Sequence, residues 1–234
     1  MSEAGEKPRR TPRRRAPAGP RAPLADWRSA GSRAEKSELI REALIRAAIE
    51  VVGEVGYADA SIALITQRAG VAQGTFYNYF RSRQDILDQL LPEVGHRMLA
   101  HVRQSAVGGA DFAELEERSF RAFFAFQKET PQLFRILNEA ENFAPGGHRY
   151  HFGIVSRGYR RFLRQSLRNG EFPGYTEADL EVIAYILMAA RSYLALRYTS
   201  GDGRIKDIPS RVVRTYMKFV LYGLQGVPPA GEPR

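Results

Sequence analysis

Residues 69–83 read AGVAQGTFYNYFRSR, and this stretch decides the fold of the chain. A glycine turn is followed by a short polar segment that is crowded with aromatic side chains. Gly70 can end a preceding helix, because glycine tolerates the positive φ of a helix terminus. Ser61 can begin that helix as its N-cap. The pattern predicts two short helices over residues 62–69 and 73–79, joined by a tight turn as in a helix-turn-helix hairpin.

Helical periodicity continues on both sides of this hairpin. Apolar residues between Ser37 and Val55 line one broad stripe, and Gly56 is well placed to end that helix. Ser82 can cap a fourth helix, in which Pro92 predicts a kink or a restart. The remaining helices are predicted over residues 112–128, 131–141, 147–168, 177–199 and 209–224. No alternation typical of strands is found, so the chain is predicted to be all-α.

The composition favours a globular protein with an anionic partner. The 234 residues carry a formal net charge of +9, and 44% of them are hydrophobic, which is enough to bury a core. The chain has no cysteine, which excludes disulfides, thiolate zinc sites and cysteine nucleophiles. The longest apolar run, residues 182–190, is far shorter than the roughly 20 residues of a membrane-spanning helix. We therefore expect a cytoplasmic protein with no membrane association.

The sequence also lacks the usual patterns of catalytic and cofactor sites. It has no nucleophile elbow, no P-loop and no dinucleotide-binding glycine motif. His148 and His151 are three residues apart and could share a helix face, but no matched carboxylate stands near them. We therefore expect no metal, no cofactor and no enzymatic activity.

The positive charge is concentrated at the N-terminus. Residues 1–36 hold ten Lys or Arg against four Asp or Glu, whereas residues 37–91 hold five against seven. Because residues 1–34 are rich in proline and arginine, we expect them to form a disordered basic tail. That tail is either a solubilising extension or an arm that adds non-specific attraction to phosphates.

Residues 56–87, which read GYADASIALITQRAGVAQGTFYNYFRSRQDIL, resemble the N-terminal domain of the TetR family of bacterial transcriptional repressors. The resemblance covers about residues 37–91, and beyond them the chain agrees with the family only in the number and length of its helices. It implies an N-terminal three-helix helix-turn-helix domain plus a larger helical ligand-binding and dimerisation domain. We expect these domains at residues 35–84 and 85–226, followed by a disordered C-terminus at residues 227–234.

The resemblance further implies a repressor that leaves a palindromic double-stranded DNA operator when a small effector binds. Gln73 and Asn78 carry amides that can read adenine, and Thr75 can contact a thymine methyl group. The small Gly74 would let the helix approach the groove closely. The predicted DNA-binding residues are Ser61, Gln73, Gly74, Thr75, Tyr77, Asn78, Tyr79 and Arg83. Of these, the two tyrosines and the arginine are expected to hold phosphates, as they do in the family.

Other cations and aromatic residues of this segment have simpler expected roles. Arg68 and Arg81 are expected to join Arg83 in attracting phosphates. Phe76 and Phe80 are expected in the core. The alternative is a compact helical hairpin whose aromatic side chains merely pack.

The family forms its dimer interface from the last two helices, and the sequence here agrees. Residues 180–196 are apolar almost all round, so this helix must be covered on both sides. We expect a homodimer, whose two-fold symmetry would match a palindromic operator. The alternative is a monomer in which the last two helices complete a single core.

Aromatic residues between these parts are either core or, together, the wall of an apolar ligand chamber like that of the family. The predicted ligand-binding residues are Phe124, Phe134, Asn138, Phe152, Tyr159, Tyr185 and Arg191. Arginines are dense in residues 149–168. They form a solvated face, or some of them neutralise an anionic effector such as a fatty or aromatic acid or its CoA thioester.

Two other classes of function remain open from the residues alone. The chain could be a non-specific DNA-binding protein that depends on the basic tail. It could also be a small-molecule binding protein or enzyme whose DNA-binding domain is vestigial.

Overall fold

A computed structural model describes residues 31–201 and 204–225. Most of the predicted tail and the whole predicted C-terminal extension, residues 227–234, lie outside the described residues. The first helix begins at Arg33, so the last two residues of the predicted tail are helical. Ser32 caps this helix, since its side chain accepts a hydrogen bond from the Glu35 amide.

The described residues confirm an all-α fold. The helices in chain order are α1 Arg33–Val55, α2 Ile62–Ala69, α3 Gln73–Phe76, α4 Arg83–Ala106, α5 Phe112–Glu129, α6 Gln132–Phe143, α7 Pro145–Arg168, α8 Leu180–Tyr198 and α9 Ser210–Gln225. A single 3₁₀ turn, Glu177–Asp179, precedes α8. None of the described helices is long and apolar enough to cross a bilayer.

The prediction that the chain contains no strands was wrong at one place. Strands β1 Ser200–Gly201 and β2 Arg204–Ile205 pair antiparallel in the connection between α8 and α9. Two residues per strand are too few to produce a period-two pattern, so these strands could not be predicted from periodicity.

The turn residues of the hairpin act as the sequence predicts. Gly56 ends α1 with φ +86°, and Gly70 ends α2 in the left-handed region with φ +71°. Ser61 accepts a hydrogen bond from the Leu64 amide, and Ser82 accepts one from the Asp85 amide. Only α3 differs: it ends three residues early, and short turns replace its predicted last part.

The predicted restart at Pro92 was wrong, since α4 continues as one helix from Arg83 to Ala106, while a kink at this proline stays a prediction. Proline has no amide hydrogen, so Asp88, four residues earlier, has a carbonyl without its helical partner. That carbonyl faces the N-terminal turn of α7, where a Cβ at Gly147 would lie 2.1 Å from the Asp88 oxygen. The Asp88 side chain also accepts a hydrogen bond from the Gly147 amide at 3.1 Å. Because Gly147 has no side chain, α7 can approach the α4 backbone closely at this position.

One hydrophobic cluster runs through the whole described chain. Helix α4 packs against α1, α5, α6 and α7 and so joins the N-terminal hairpin to the larger helical part. Phe76 and Phe80 are fully buried in this cluster, which confirms their predicted place in the core. About two turns further along α4 from Asp88, a Cβ at Gly95 would lie 2.1 Å from Nδ1 of His151 on α7. Glycines at two levels therefore allow α4 and α7 to lie close together.

Replacing Gly147 by alanine should destabilise the protein by about 1–3 kcal/mol, because the new methyl group would overlap the Asp88 backbone. The matched control is Gly158→Ala on the same helix, where a Cβ meets nothing within 4 Å. That change should be neutral or stabilise by about 0.5–1 kcal/mol, since alanine favours the helix. Chemical denaturation of both variants measures the difference. Equal stability of the two variants would contradict close packing of α7 on α4.

Candidate nucleic-acid interface and ligand cavity

The surface formed by α3 and the turns after it exposes most of the predicted base-reading groups. Gln73, Gly74, Tyr77 and Asn78 are exposed, and the side-chain amides of Gln73 and Asn78 form no hydrogen bond with any other described residue. Beneath them Phe76 packs at 5.4 Å, centroid to centroid, against Phe80. The buried rings hold the segment in place and leave the amides free to bind an external partner.

Gly74 has no structural reason to be glycine in this fold. Its φ is not in the left-handed region, and a Cβ at this position would meet nothing within 4 Å. Alanine would favour a helix more strongly than glycine does. The open position leaves the α3 backbone accessible to an approaching partner.

Three other predicted DNA-binding residues are partly engaged within the protein. Thr75 is half-buried, and the half-buried Tyr79 packs against the core. Ser61 is exposed, but its hydroxyl already caps α2. These residues can present only part of their side chains to a partner.

Arg83 performs a structural task. Its guanidinium donates to the carbonyls of Tyr57, Ala58 and Ala60, at 2.5 Å for Ala60 and 3.0 Å for Ala58. These carbonyls follow the end of α1, so Arg83 ties the α1–α2 connection to the first turn of α4. The Nε and Nη2 atoms of Arg83 are therefore occupied by backbone carbonyls, whereas its Nη1 atom has no hydrogen bond within the described residues.

Arg68 is also engaged within the hairpin. Its guanidinium pairs with Glu50 at 3.1 Å and with Glu54 at 2.7 Å. The hydrogen bond with Glu54 raises the pKa of Arg68, and its charge is compensated locally. Of the three arginines expected to attract phosphates, Arg81 and Arg83 form no side-chain ion pair within the described residues, and only the exposed Arg81 also lacks a side-chain hydrogen bond there.

Two side chains of α6, Arg135 and Glu139, bind backbone groups at the C-terminal end of α1, and we call these contacts the α6 grip. Arg135 donates to the carbonyls of Gly53 and Glu54 at 3.2 and 2.9 Å. Glu139 accepts a hydrogen bond from the Tyr57 amide at 2.9 Å. Because the last carbonyls of a helix lack partners within it, an arginine there satisfies groups that would otherwise need water.

An apolar inner chamber of about 80 Å³ lies between α4, α5, α6, α7 and α8. Its lining residues are Met98, Leu99, Val102, Ser119, Phe123, Leu133, Leu137, His151, Phe152, Val155, Tyr159, Met188, Arg191 and Ser192. It adjoins an outer chamber of about 410 Å³, lined by α4, α5 and α7 together with Val107. Tyr159 and Ser119 belong to both walls. Together the chambers reach the size of small-molecule sites in proteins.

The structure brings only some of the predicted ligand-binding residues to this cavity. Phe152, Tyr159 and Arg191 line the inner chamber. Phe124 is buried against Phe120, with ring centroids 4.9 Å apart, and does not reach the chamber.

The other three predicted ligand-binding residues lie outside the cavity. Asn138 is exposed and donates to the Phe134 carbonyl at 2.6 Å, while the Phe134 side chain packs on the core. Tyr185 is 45% exposed on α8. Helical spacing alone could not show that these residues lie outside the cavity wall. Whether a helix face lines the cavity or the core depends on which other helix packs against it, and the spacing does not contain that information.

A buried polar cluster closes one end of the inner chamber. Arg191 pairs with Glu116 at 2.7 Å, and Glu116 also accepts the Tyr216 hydroxyl at 2.6 Å. The Arg191 guanidinium lies over the Tyr159 and Phe120 rings at 5.2 and 5.7 Å. Burial raises the pKa of Tyr159 well above its usual range, so its hydroxyl stays neutral. Sequence reasoning missed Glu116, because nothing in the chain marks it as buried.

His151 packs its ring against α4 and is not placed to bind a metal. Burial, with His148 and His96 nearby, lowers its pKa to about 4, so it is neutral at pH 7. No cluster of three or more metal-ligating side chains occurs within residues 31–201 and 204–225. The imidazole therefore serves as an uncharged part of the cavity wall.

Helices α8 and α9 expose large apolar side chains at helical spacing. They are Val182, Tyr185, Ile186, Tyr193, Leu196, Phe219 and Tyr222. We call these side chains the apolar stripe of α8 and α9. Single exposed apolar residues are ordinary, but a group of large ones on successive turns of a helix is typical of a protein interface.

Comparisons with known proteins identify the family. A family model described as bacterial regulatory proteins, tetR family, matches residues 44–90. The HTH-type transcriptional regulator BetI of Escherichia coli strain SMS-3-5 is 30% identical over 151 residues, which are 56% of this chain and 74% of that protein. The chain belongs to the TetR family. BetI of strain K12 / DH10B is 35% identical over 115 residues, 41% of this chain and 59% of that protein.

Solved TetR-family structures share the fold at low sequence identity. A putative regulator from Syntrophomonas wolfei has a TM-score of 0.67 and 18% identity, over 83% of this chain and 99% of that chain. FadR of Bacillus subtilis, solved with stearoyl-CoA, has a TM-score of 0.64 and 20% identity, over 80% of this chain and 98% of that chain. This TetR-family protein is therefore a transcriptional regulator with a helix-turn-helix DNA-binding domain, and it is not an enzyme.

Replacing Gly74 by leucine should weaken operator binding at least about tenfold, because the new side chain would stand between α3 and the groove. The melting temperature should not fall, since the position is open. Gly70→Ala is the contrasting control: its φ of +71° disfavours alanine, so stability should drop by about 1 kcal/mol. Fluorescence anisotropy and thermal melting measure the two effects. Unchanged operator affinity in Gly74→Leu would mean that the α3 backbone does not approach DNA.

Proposed function

We propose that this TetR-family regulator is a cytoplasmic repressor that binds a palindromic operator as a homodimer. An apolar effector that carries an acidic group or its CoA thioester enters the cavity and releases the operator. The observation that carries the proposal is that α6 contacts both parts: Leu133 and Leu137 line the inner chamber, while Arg135 and Glu139 hold the end of α1.

The exposed groups of α3 support sequence-specific DNA binding. The amides of Gln73 and Asn78 can each form two hydrogen bonds to an adenine edge in the major groove. Tyr77 is exposed beside them and can donate to a phosphate. Since Arg68 and Arg83 are engaged within the protein, we expect Arg81 and the basic residues before α1 to supply most of the phosphate attraction.

The apolar stripe on α8 and α9 supports the homodimer. A second copy that packs the same stripe against this one would bury Tyr193, Phe219 and Tyr222, which are each more than 70% exposed here. A two-fold dimer would place its two copies of α3, the predicted recognition helix, in successive major grooves about 34 Å apart.

The cavity supports an effector that is mainly apolar. The inner chamber is lined chiefly by leucine, valine, methionine and phenylalanine. FadR of Bacillus subtilis, which shares the fold, was solved with stearoyl-CoA, so this fold can hold an acyl thioester. An effector that pushes α6 outward would disturb its grip on α1 and favour a state that fits DNA poorly.

Selection from a random duplex pool at about 150 mM salt tests DNA recognition, because non-specific attraction is weak there. We expect one palindrome whose half-sites are about one helical turn apart. The double variant Gln73→Ala, Asn78→Ala should lose this enrichment, while a variant lacking residues 1–30 should keep it with a shallower salt dependence.

Other results of the selection would favour other functions. Loss of all binding after deletion of residues 1–30 would indicate a non-specific DNA-binding protein. No enrichment with the intact chain, together with tight effector binding, would indicate a ligand-binding protein whose reading helix is vestigial.

Removing the α6 grip with Arg135→Ala, Glu139→Ala should reduce the effector's influence on DNA binding. We expect the ratio of operator Kd with and without dodecanoyl-CoA to fall severalfold, because α6 can then move without α1. The matched control is Arg121→Ala, Glu117→Ala, which removes an exposed i,i+4 pair on α5 that does not touch the hairpin. An unchanged ratio in the α6 variant would exclude this route of coupling.

A further inference from the structure

We propose that the effector is an anionic amphiphile bound tail first: its anionic group lies at the outer chamber between Arg103 and Arg161, and Arg191 does not bind it. This inference rests on the proposed function and specifies how the effector lies in that cavity. The apolar body then occupies the inner chamber, and its far end meets the buried polar cluster of Arg191, Glu116 and Tyr159.

The charge of Arg191 is already compensated. Its Nη2 atom pairs with Glu116 at 2.7 Å and also donates to the Ser119 hydroxyl at 3.1 Å. Both members of the ion pair are buried, and Glu116 is fully inaccessible to solvent. A second carboxylate brought here would lie beside Glu116 in a medium of low polarity, where like charges repel strongly. The buried end of the cavity therefore disfavours an anion.

The outer chamber carries uncompensated positive charge. Arg103 of α4 and Arg161 of α7 both line it, and both are exposed. Neither forms an ion pair or a side-chain hydrogen bond with any residue of the described chain. By contrast, Arg118 pairs with Glu114, and Arg164 pairs with Glu177. Guanidinium groups with no protein partner at the entrance suit a carboxylate or a phosphate.

The buried end retains neutral hydrogen-bonding capacity. The Arg191 Nε atom and the Tyr159 hydroxyl are inaccessible to solvent and make no hydrogen bond of normal geometry, although Ser119 lies beside Tyr159. Buried polar atoms without partners are unfavourable, and a ligand that satisfies them gains affinity. The far end of the effector can therefore carry a neutral oxygen, such as a hydroxyl, but not a second charge.

Four probes of equal chain length separate the two ends of the cavity: dodecanoate, 12-hydroxydodecanoate, dodecanedioate and 1-dodecanol. Isothermal titration calorimetry with the full chain should give the weakest acid binding for the diacid, because its second carboxylate is buried beside Glu116. The hydroxy acid should bind no more weakly than dodecanoate. The alcohol should bind about five- to tenfold more weakly than dodecanoate, since it has no anionic group.

The double variant Arg103→Gln, Arg161→Gln should weaken dodecanoate binding to the level of the alcohol and leave alcohol binding unchanged. The matched control is Arg97→Gln, Arg149→Gln, which removes exposed arginines of the same two helices that line neither chamber. The variant Glu116→Gln should specifically improve binding of the diacid. If that variant fails to fold, the comparison of the four probes on the unchanged protein still tests the buried end.

The outcomes distinguish the orientation from the proposed function. Binding of dodecanoate that is insensitive to Arg103→Gln, Arg161→Gln, or a diacid that binds as tightly as the hydroxy acid, overturns the orientation but not the effector class. No binding of any probe, repeated with chains of eight to sixteen carbons and their CoA thioesters, overturns the effector class as well.

Discussion

The close approach of α7 to α4 is the constraint on which the cavity depends. The connection of the cavity to α3, the predicted recognition helix, depends on the same contact. Gly147 and Gly95 have no side chains at the points where these helices meet, and Pro92 leaves a carbonyl of Asp88 facing that contact. Because α7 is held there, Phe152 and Tyr159 further along the helix face α5 and α8 across the inner chamber. Because α4 begins beside the hairpin, the same contact joins the cavity to the DNA-binding domain.

The distribution of paired and unpaired charges explains more of the protein than its net charge does. Near α3, Arg68 is paired with Glu50 and Glu54, whereas Arg83 donates to backbone carbonyls of the α1–α2 connection and forms no ion pair within the described residues. In the cavity, Arg191 is neutralised by Glu116, whereas Arg103 and Arg161 have no partner in the described chain. A count of arginines cannot separate these cases. Only arginines whose charge is left uncompensated can attract an anionic partner strongly, because a buried or paired guanidinium has already given up water for a protein partner.

Helix α6 can convert a small change in the cavity into a change at the hairpin. Its apolar residues Leu133 and Leu137 face the chamber, and its polar residues Arg135 and Glu139 satisfy backbone groups at the end of α1. Since these backbone groups would otherwise need water, breaking the α6 contacts would leave them to be solvated, and the proposed coupling depends on that difference between the bound and the separated arrangement. A ligand that prefers one state therefore shifts the population of the other.

The sequence by itself determined the helical fold and the DNA-binding hairpin. Gly56, Ser61, Gly70 and Ser82 act through their own backbone and near neighbours, so their roles are readable from local chemistry. The continuity of α4 through Pro92, the placing of Phe124 and Tyr185 away from the cavity, and the burial of Glu116 were decided only by the tertiary structure. Each depends on which helix, distant in the sequence, packs against the residue in question. Helical periodicity shows which face of a helix is apolar, but it does not show which helix covers that face.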